Sequence, residues 1–313
     1  MVLDVLDADE QRRTRIAWLY YVEGRTQAEI ALRLGLSRIK VVRDLAACRE
    51  TGLVQIRING RLAACVALER ALERRWGLRE AVVIPIPADP ADIPAALGVA
   101  VGAYVSDRLA PGQTVGIGWG RTLRWGVRAL RRRAVPGLTV VSLLGGLGRA
   151  SELNTYETAA RLAEAAGAAC YYLAAPTFAG TPALRDMLLE QPGIRDTLER
   201  GRRADLALVS VGSLDPASTN RRLGLLSDAD AAELAALGAA GDLLGHFLDE
   251  SGRPVDHPLN ARVVGLPPRD LRAVPRAILA SGAPDKVGIL RGALAGRYVN
   301  ALITDEATAR ALA

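Results

Sequence analysis

Apolar residues recur at helical spacing through the first fifty positions and then give way to strand-like runs. The stretch from 26 to 45 reads Thr-Gln-Ala-Glu-Ile-Ala-Leu-Arg-Leu-Gly-Leu-Ser-Arg-Ile-Lys-Val-Val-Arg-Asp-Leu. This is the pattern of two short helices joined by a sharp turn. Thr26 suits an N-cap, and Glu29 stands three residues on, as a capping box requires. Ile30 and Leu34 share one face at i, i+4 spacing, with Ala31 beside them. Gly35 supplies a permissive backbone for the turn, and Leu36 plugs the angle between the helices. Ser37 caps a second helix whose Val41, Leu45 and Cys48 face inward. An earlier helix, over about Arg12 to Glu23, brings Ile16, Leu19 and Tyr20 against this pair. After Gly52, Leu53-Val54-Gln55-Ile56-Arg57-Ile58 alternates as a strand does, and Asn59-Gly60 ends it in a turn. The pattern predicts a winged helix-turn-helix unit over residues 1–60.

Residues 61–80 form an amphipathic stretch, with Leu62, Val66, Leu72 and Trp76 on roughly one face and Arg70, Glu73, Arg74 and Arg75 opposite. A connecting helix, and a candidate dimer contact, is the expectation there. From 81 to 313, apolar runs alternate with helical segments. The runs are Ala81 to Ile86, Thr114 to Gly118, Leu138 to Leu144, Ala169 to Leu173, Leu206 to Val211, Arg262 to Leu266, Ala277 to Ala280 and Ala301 to Thr304. Most are nearly all apolar, as strands covered on both faces are, which predicts a doubly wound α/β domain with a mainly parallel sheet. Ligands of such a sheet sit at the carboxyl ends of its strands.

Charge changes the reading of the amino-terminal unit. Arg12 to Arg61 holds eleven Arg and Lys against four Asp and Glu, a net of +7, while the rest of the chain sums to −1, giving the overall +6. An ordinary helical hairpin does not need this excess, whereas a DNA-binding one does. Arg38, Lys40 and Arg43, with Ser37 and Val41, are the candidate groove residues of the second helix, and Thr26 and Gln27 anchor the first to the backbone. Only two of the basic residues are Lys, Lys40 and Lys286. Cys48, Cys65 and Cys170 are too scattered for a zinc cluster, His246 and His257 join no ligand motif, and no metal or cofactor is expected. The acidic start lacks an apolar stretch and no run approaches a membrane span, so a soluble cytoplasmic protein without membrane contact is expected.

Unusual residues collect at the strand ends. Gly118-Trp119-Gly120-Arg121-Thr122 leaves a strand and enters a helix. Its glycines allow close backbone approach, the helix start favours an anion, and Thr122 offers a hydroxyl. The glycine spacing is neither that of the dinucleotide fingerprint nor that of a Walker loop. A tight turn without a ligand is the alternative. Gly145-Gly146-Leu147-Gly148 follows the next strand, with Asn154 and Glu157 beyond, and Gly212-Ser213-Leu214 ends a third. Their repetition predicts one shared pocket. Asp242 and Asp249 are candidates to bind hydroxyls, although Asp249 with Gly252 equally suits a β-turn. Lys286 opens a helix where a cation can meet phosphate or simply be solvated.

These motifs, in this order, make the chain resemble the SorC family of bacterial sugar-responsive transcription regulators. The resemblance rests on Leu36-Ser37-Arg38, Lys40-Val41, Arg43 and Arg49-Glu50-Thr51-Gly52-Leu53-Val54. Further along it rests on Gly118 to Thr122, Gly241-Asp242, Gly245-His246-Phe247, Lys286, Leu302-Ile303-Thr304-Asp305-Glu306 and Ala309. It implies an effector domain similar to sugar-phosphate isomerases and deaminases, a homo-oligomer (dimer or tetramer) on operator DNA, and a sugar, polyol or sugar-phosphate effector. It places Gly120, Arg121 and Thr122 at an anion- or hydroxyl-binding turn, Asp242 on effector hydroxyls and Lys286 on a phosphate or polar edge. The expected function is therefore effector-controlled transcription of a carbohydrate or polyol operon. The competing class is a sugar-phosphate isomerase or deaminase carrying a DNA-binding module. Enolisation needs a positioned general base; Asp242 and Asp249 could be drafted for it, but neither histidine has an evident acid or base partner.

Overall fold

The computed structural model describes residues 8–54, 60, 62–147 and 154–313. They divide into two compact units, Met1–Gly60 and Arg61–Ala313. In the first, α1 (Ala8–Tyr21), α2 (Gln27–Leu34) and α3 (Arg38–Glu50) pack around Ile16, Leu19, Ile30, Ala31, Val41 and Leu45. The Thr26 hydroxyl accepts the Glu29 N–H, and the Glu29 carboxylate accepts the Thr26 N–H at 2.8 Å, so the capping box closes. Gly35 ends α2 at φ 62°, a left-handed conformation that costs glycine least. Ser37 caps α3 by accepting the Lys40 N–H. The expected wing lies, from Gln55 to Asn59, outside the described residues.

The second unit opens with α4 (Ala63–Trp76). Cys65 and Leu72 are buried there, with Leu68 and Trp76 packed alongside. Leu62 and Val66, expected on the same face as Leu72, are instead 54% and 46% exposed, because the stripe that docks is Cys65, Leu68, Leu72, Trp76. The remaining helices are α5 (Ile93–Ser106), α6 (Arg121–Arg128), α7 (Thr155–Ala166), α8 (Pro182–Glu190), α9 (Pro192–Arg202), α10 (Thr219–Arg222), α11 (Asp228–Ala236), α12 (Val287–Ala295) and α13 (Glu306–Leu312). The strands are β1 (Glu80–Ile84), β2 (Thr114–Ile117), β3 (Thr139–Ser142), β4 (Ala169–Tyr171), β5 (Leu206–Val209), β6 (Val211–Gly212), β7 (Gly241–Leu243), β8 (His246–Leu248), β9 (Arg276–Ala280) and β10 (Ala301–Asp305).

Seven strands form one all-parallel sheet in the order β1-β10-β9-β5-β2-β3-β4. Helices α5, α6 and α7 bury one face, while α4, α9, α12 and α13 bury the other. This is the doubly wound α/β fold that the apolar runs predict. One run departs from the pattern. Residues 262–266 make only isolated bridges, Val263 to Phe178 and Gly265 to Leu144, because their backbone pairs with the turns that follow β3 and β4. A second sheet, β6-β7-β8, is antiparallel and three-stranded. From β2 the chain runs outward through β3 and β4, then returns to β5 on the other side of β2. The carboxyl ends of β2 and β5 therefore flank the switch point of the sheet, where doubly wound folds open a crevice.

Candidate effector cleft and DNA-facing helix

A cleft lies at that crevice. Its walls are Trp119, Gly120 and Arg121 from the turn after β2, Ser210 to Ser213 after β5, Ser218 to Asn220 at the start of α10, Asp242 of β7, and Asp285-Lys286 before α12. Gly120 stands at φ 129° and, as a glycine, brings no side chain to cap α6, so among the described residues the first N–H groups of that helix are left for a ligand or water. The opposite wall is held by close approach. A Cβ on Gly212 would stand 2.3 Å from Asp242 Oδ1, and one on Gly241 would stand 2.2 Å from the Gly212 carbonyl oxygen.

Asp242 is 3% exposed, accepting Asn220 Nδ2–H at 2.7 Å on Oδ1 and the Gly245 N–H at 3.0 Å on Oδ2. Burial lifts its carboxyl to about 6, although Gly245, Asn220 and Lys286 pull the other way. Burial also draws the half-buried Lys286 below its ordinary range; Asp285 opposes that and Arg121 adds to it. Ser213 Oγ–H donates to Asp285 at 2.7 Å, and the Ser218 hydroxyl is buried with no hydrogen-bond partner among the described residues. The cleft thus offers two cationic side chains and free helix N–H groups beside a carboxylate, an amide and an unsatisfied hydroxyl. That set suits a ligand with an anionic end and several hydroxyls.

Several residues expected in one pocket are placed elsewhere. Thr122 is buried in α6 and does not line the cleft, and Gly118 packs behind it against Leu244. Gly145 and Gly146 answer packing: a Cβ on the first would meet the Pro176 carbonyl oxygen at 2.5 Å, and on the second the Tyr156 ring at 2.5 Å. Asn154 caps α7 by accepting the Tyr156 N–H, and its amide donates to the Leu147 carbonyl at 3.1 Å. Gly146 lines a separate hollow with Leu147, Phe178, Leu223, Leu225 and Arg262, and Trp119 packs at its edge against Leu144 and Val263. Asp249 closes a turn, accepting the Ser251 and Arg253 N–H groups, which is the β-turn alternative. Ser210, Ser218, Asn220 and Asp285 were not legible beforehand, since no motif surrounds them; the Gly212-Ser213 turn did mark one wall.

In the amino-terminal unit, Val41 is 0% exposed and belongs to the core, which corrects its assignment to the groove-facing set. Lys40 turns to Asp44, a carboxylate 1% exposed that also meets Arg12 at 3.0 Å. The outward face of α3 is left to Arg38, Ile39, Val42 and Arg43, all exposed. Arg25, Thr26, Gln27 and Arg38 line a concavity with Tyr20 at the start of α2. Among the described residues, no helix is long and apolar enough to cross a membrane, and no cluster of three or more His, Cys, Asp or Glu suits a metal ion.

Known proteins match this arrangement over nearly its whole length. Residues 60–313 match the family described as "Putative sugar-binding domain". The chain is 34% identical over 308 residues to the erythritol catabolism regulatory protein EryD of Brucella abortus, covering 98% of this chain and 97% of that one. It is 34% identical over 311 residues to the deoxyribonucleoside regulator of Bacillus subtilis, covering 98% and 99%. The crystal structure of the full-length sorbitol operon regulator SorC from Klebsiella pneumoniae superposes with a TM-score of 0.74 at 29% identity, covering 97% of this chain and 99% of that one. With a helix-turn-helix unit before a sugar-binding α/β domain, the chain belongs to the SorC family of sugar-binding transcription regulators, and it is a transcription regulator rather than an enzyme.

Proposed function

We propose that the switch-point cleft binds a small phosphorylated sugar or polyol, and that occupancy alters operator binding by the amino-terminal unit in a cytoplasmic homo-oligomer. The observation that carries this reading is the convergence of Arg121, Lys286 and the uncapped α6 N–H groups with Asp242, Asn220 and the unpartnered Ser218 hydroxyl. The phosphate lies on the first set, where a dianion relieves the unfavourable closeness of two cations. The hydroxyls lie on the second set, and one of them satisfies Ser218. The effector works only through its differential affinity for two arrangements of the oligomer. In the DNA-binding unit, Arg38 and Arg43 meet the major groove and the α2 start holds the backbone, as helix-turn-helix geometry requires.

The relatives concern erythritol, sorbitol and deoxyribonucleosides, so erythritol phosphate, sorbitol phosphate and deoxyribose phosphate, each beside its unphosphorylated form, make the first ligand panel. One phosphate ester should raise the melting temperature of the full-length protein, since ligand at 100 times its Kd stabilises by about 2.7 kcal/mol. Lys286→Ala and Arg121→Ala should each lose most of that rise. Equal response of both variants and wild type rules this cleft out as the site.

A further inference from the structure

Helix α3 exposes two aliphatic side chains where a solvent-facing surface has no use for them: Ile39 is 73% exposed and Val42 45%. They stand three residues apart, so they are neighbours on one helical face. Arg38 and Arg43, also exposed, flank them, and Val41, Asp44, Leu45 and Cys48 point the opposite way into the core. Lys40, off this face on the side of Asp44, pairs with that carboxylate at 3.2 Å. The result is an apolar pair framed by two guanidinium groups, on the second helix of a unit whose segment Arg12 to Arg61 carries a net charge of +7.

We infer that Ile39 and Val42 read sequence by packing on thymine methyl groups in the major groove, with Arg38 and Arg43 contacting guanine edges or phosphates around them. This rests on the DNA-binding reading above and says what that helix recognises. Charge complementarity selects the occupant: two arginines beside the patch favour a polyanion. On the base edges of the major groove the thymine C5-methyl is the one apolar group, while the arginines match the guanine acceptors. Burying one methyl against an aliphatic side chain contributes about 0.8 kcal/mol, or about fourfold in affinity.

The test uses the full-length protein to enrich duplexes from a random-sequence pool. The enriched duplex is then resynthesised with one thymine at a time replaced by deoxyuridine, which removes only the methyl. In each half-site, one or two replacements should weaken wild-type binding about fourfold. Ile39→Ala or Val42→Ala should bind the unmodified duplex more weakly and show no further loss at the corresponding position. Arg38→Ala should keep the methyl penalty while weakening binding overall. Unchanged helical circular dichroism shows that each variant is folded, as these exposed positions allow. Absence of any methyl-sensitive thymine, or a methyl penalty that persists in both aliphatic variants, overturns the inference while leaving DNA binding intact. Failure to enrich any duplex overturns the DNA-binding reading itself, and this inference with it.

Discussion

Burial acts on Asp242 and His246 in opposite directions, lifting the first to about 6 and pushing the second down to about 4. Asp242 holds its proton more tightly folded than unfolded, so its contribution to stability is full below about pH 4 and is lost as pH rises through 6. His246 is kept neutral, so its contribution is full above its unfolded value of about 6.5 and is lost as pH falls towards 4. Between pH 4 and 6 the two offset each other. Asp242→Asn removes only the first, so relative to wild type its unfolding free energy should gain on the order of 2–3 kcal/mol from pH 4 to pH 7, measured by urea denaturation. A wild-type-to-variant difference that stays level across that range contradicts the assignment. Asp44 behaves the other way. Burial pushes its carboxyl up, but Arg12 and Lys40 outweigh that and hold it below the usual range, so its contribution is present above about pH 4 and is lost in acid. Asp44→Ala should destabilise the helix-turn-helix unit by about 2 kcal/mol, because it leaves Arg12, Arg13 and Lys40 clustered without their anion. Thr26, Glu29, Gly35 and Ser37 were legible in the sequence because their partners lie within three or four positions. Asn220 and Ser218 were not, since what makes them matter is Asp242 across the cleft and an empty hydrogen-bond position.

At the scale of elements, glycines separate packing from propensity. A Cβ on Gly98 of α5 would stand 2.2 Å from the Trp125 Cβ and 2.8 Å from its backbone carbon, so Gly98→Ala should force α5 and α6 apart at a cost of about 3 kcal/mol. Gly193, near the start of α9, has nothing within 4 Å of that position, and Gly193→Ala should be neutral or stabilise by about 0.5 kcal/mol. Thermal unfolding of both variants checks the pair; equal effects would mean that the helix crossing yields easily. The parallel strands were readable because burial on both faces makes them continuous apolar runs. That signal cannot distinguish a strand from residues 262–266, which are equally apolar but pair with turns. The β6-β7-β8 sheet was missed for a different reason: its strands are two or three residues long, too short to show a period of two.

For the whole molecule, concentrating the positive charge in the amino-terminal segment predicts steep salt dependence of DNA binding. Operator affinity of the full-length protein should fall by about 10³ between 50 and 200 mM salt, as six or more phosphate contacts imply, and fluorescence anisotropy titrations measure the slope. A slope near zero would mean that the +7 segment does not meet phosphate. The sequence by itself determined the helix-turn-helix, its caps, the charge asymmetry and the doubly wound sheet, because each is written in local periodicity or in a sum over residues. Only the tertiary structure decided which Gly-rich turns share a cleft. It brought Gly120 to Asp242 and Lys286, separated Gly146 into another hollow, and set Asn154 as the cap of α7. Strand order and helix rotation set those distances, and both follow from how distant segments pack.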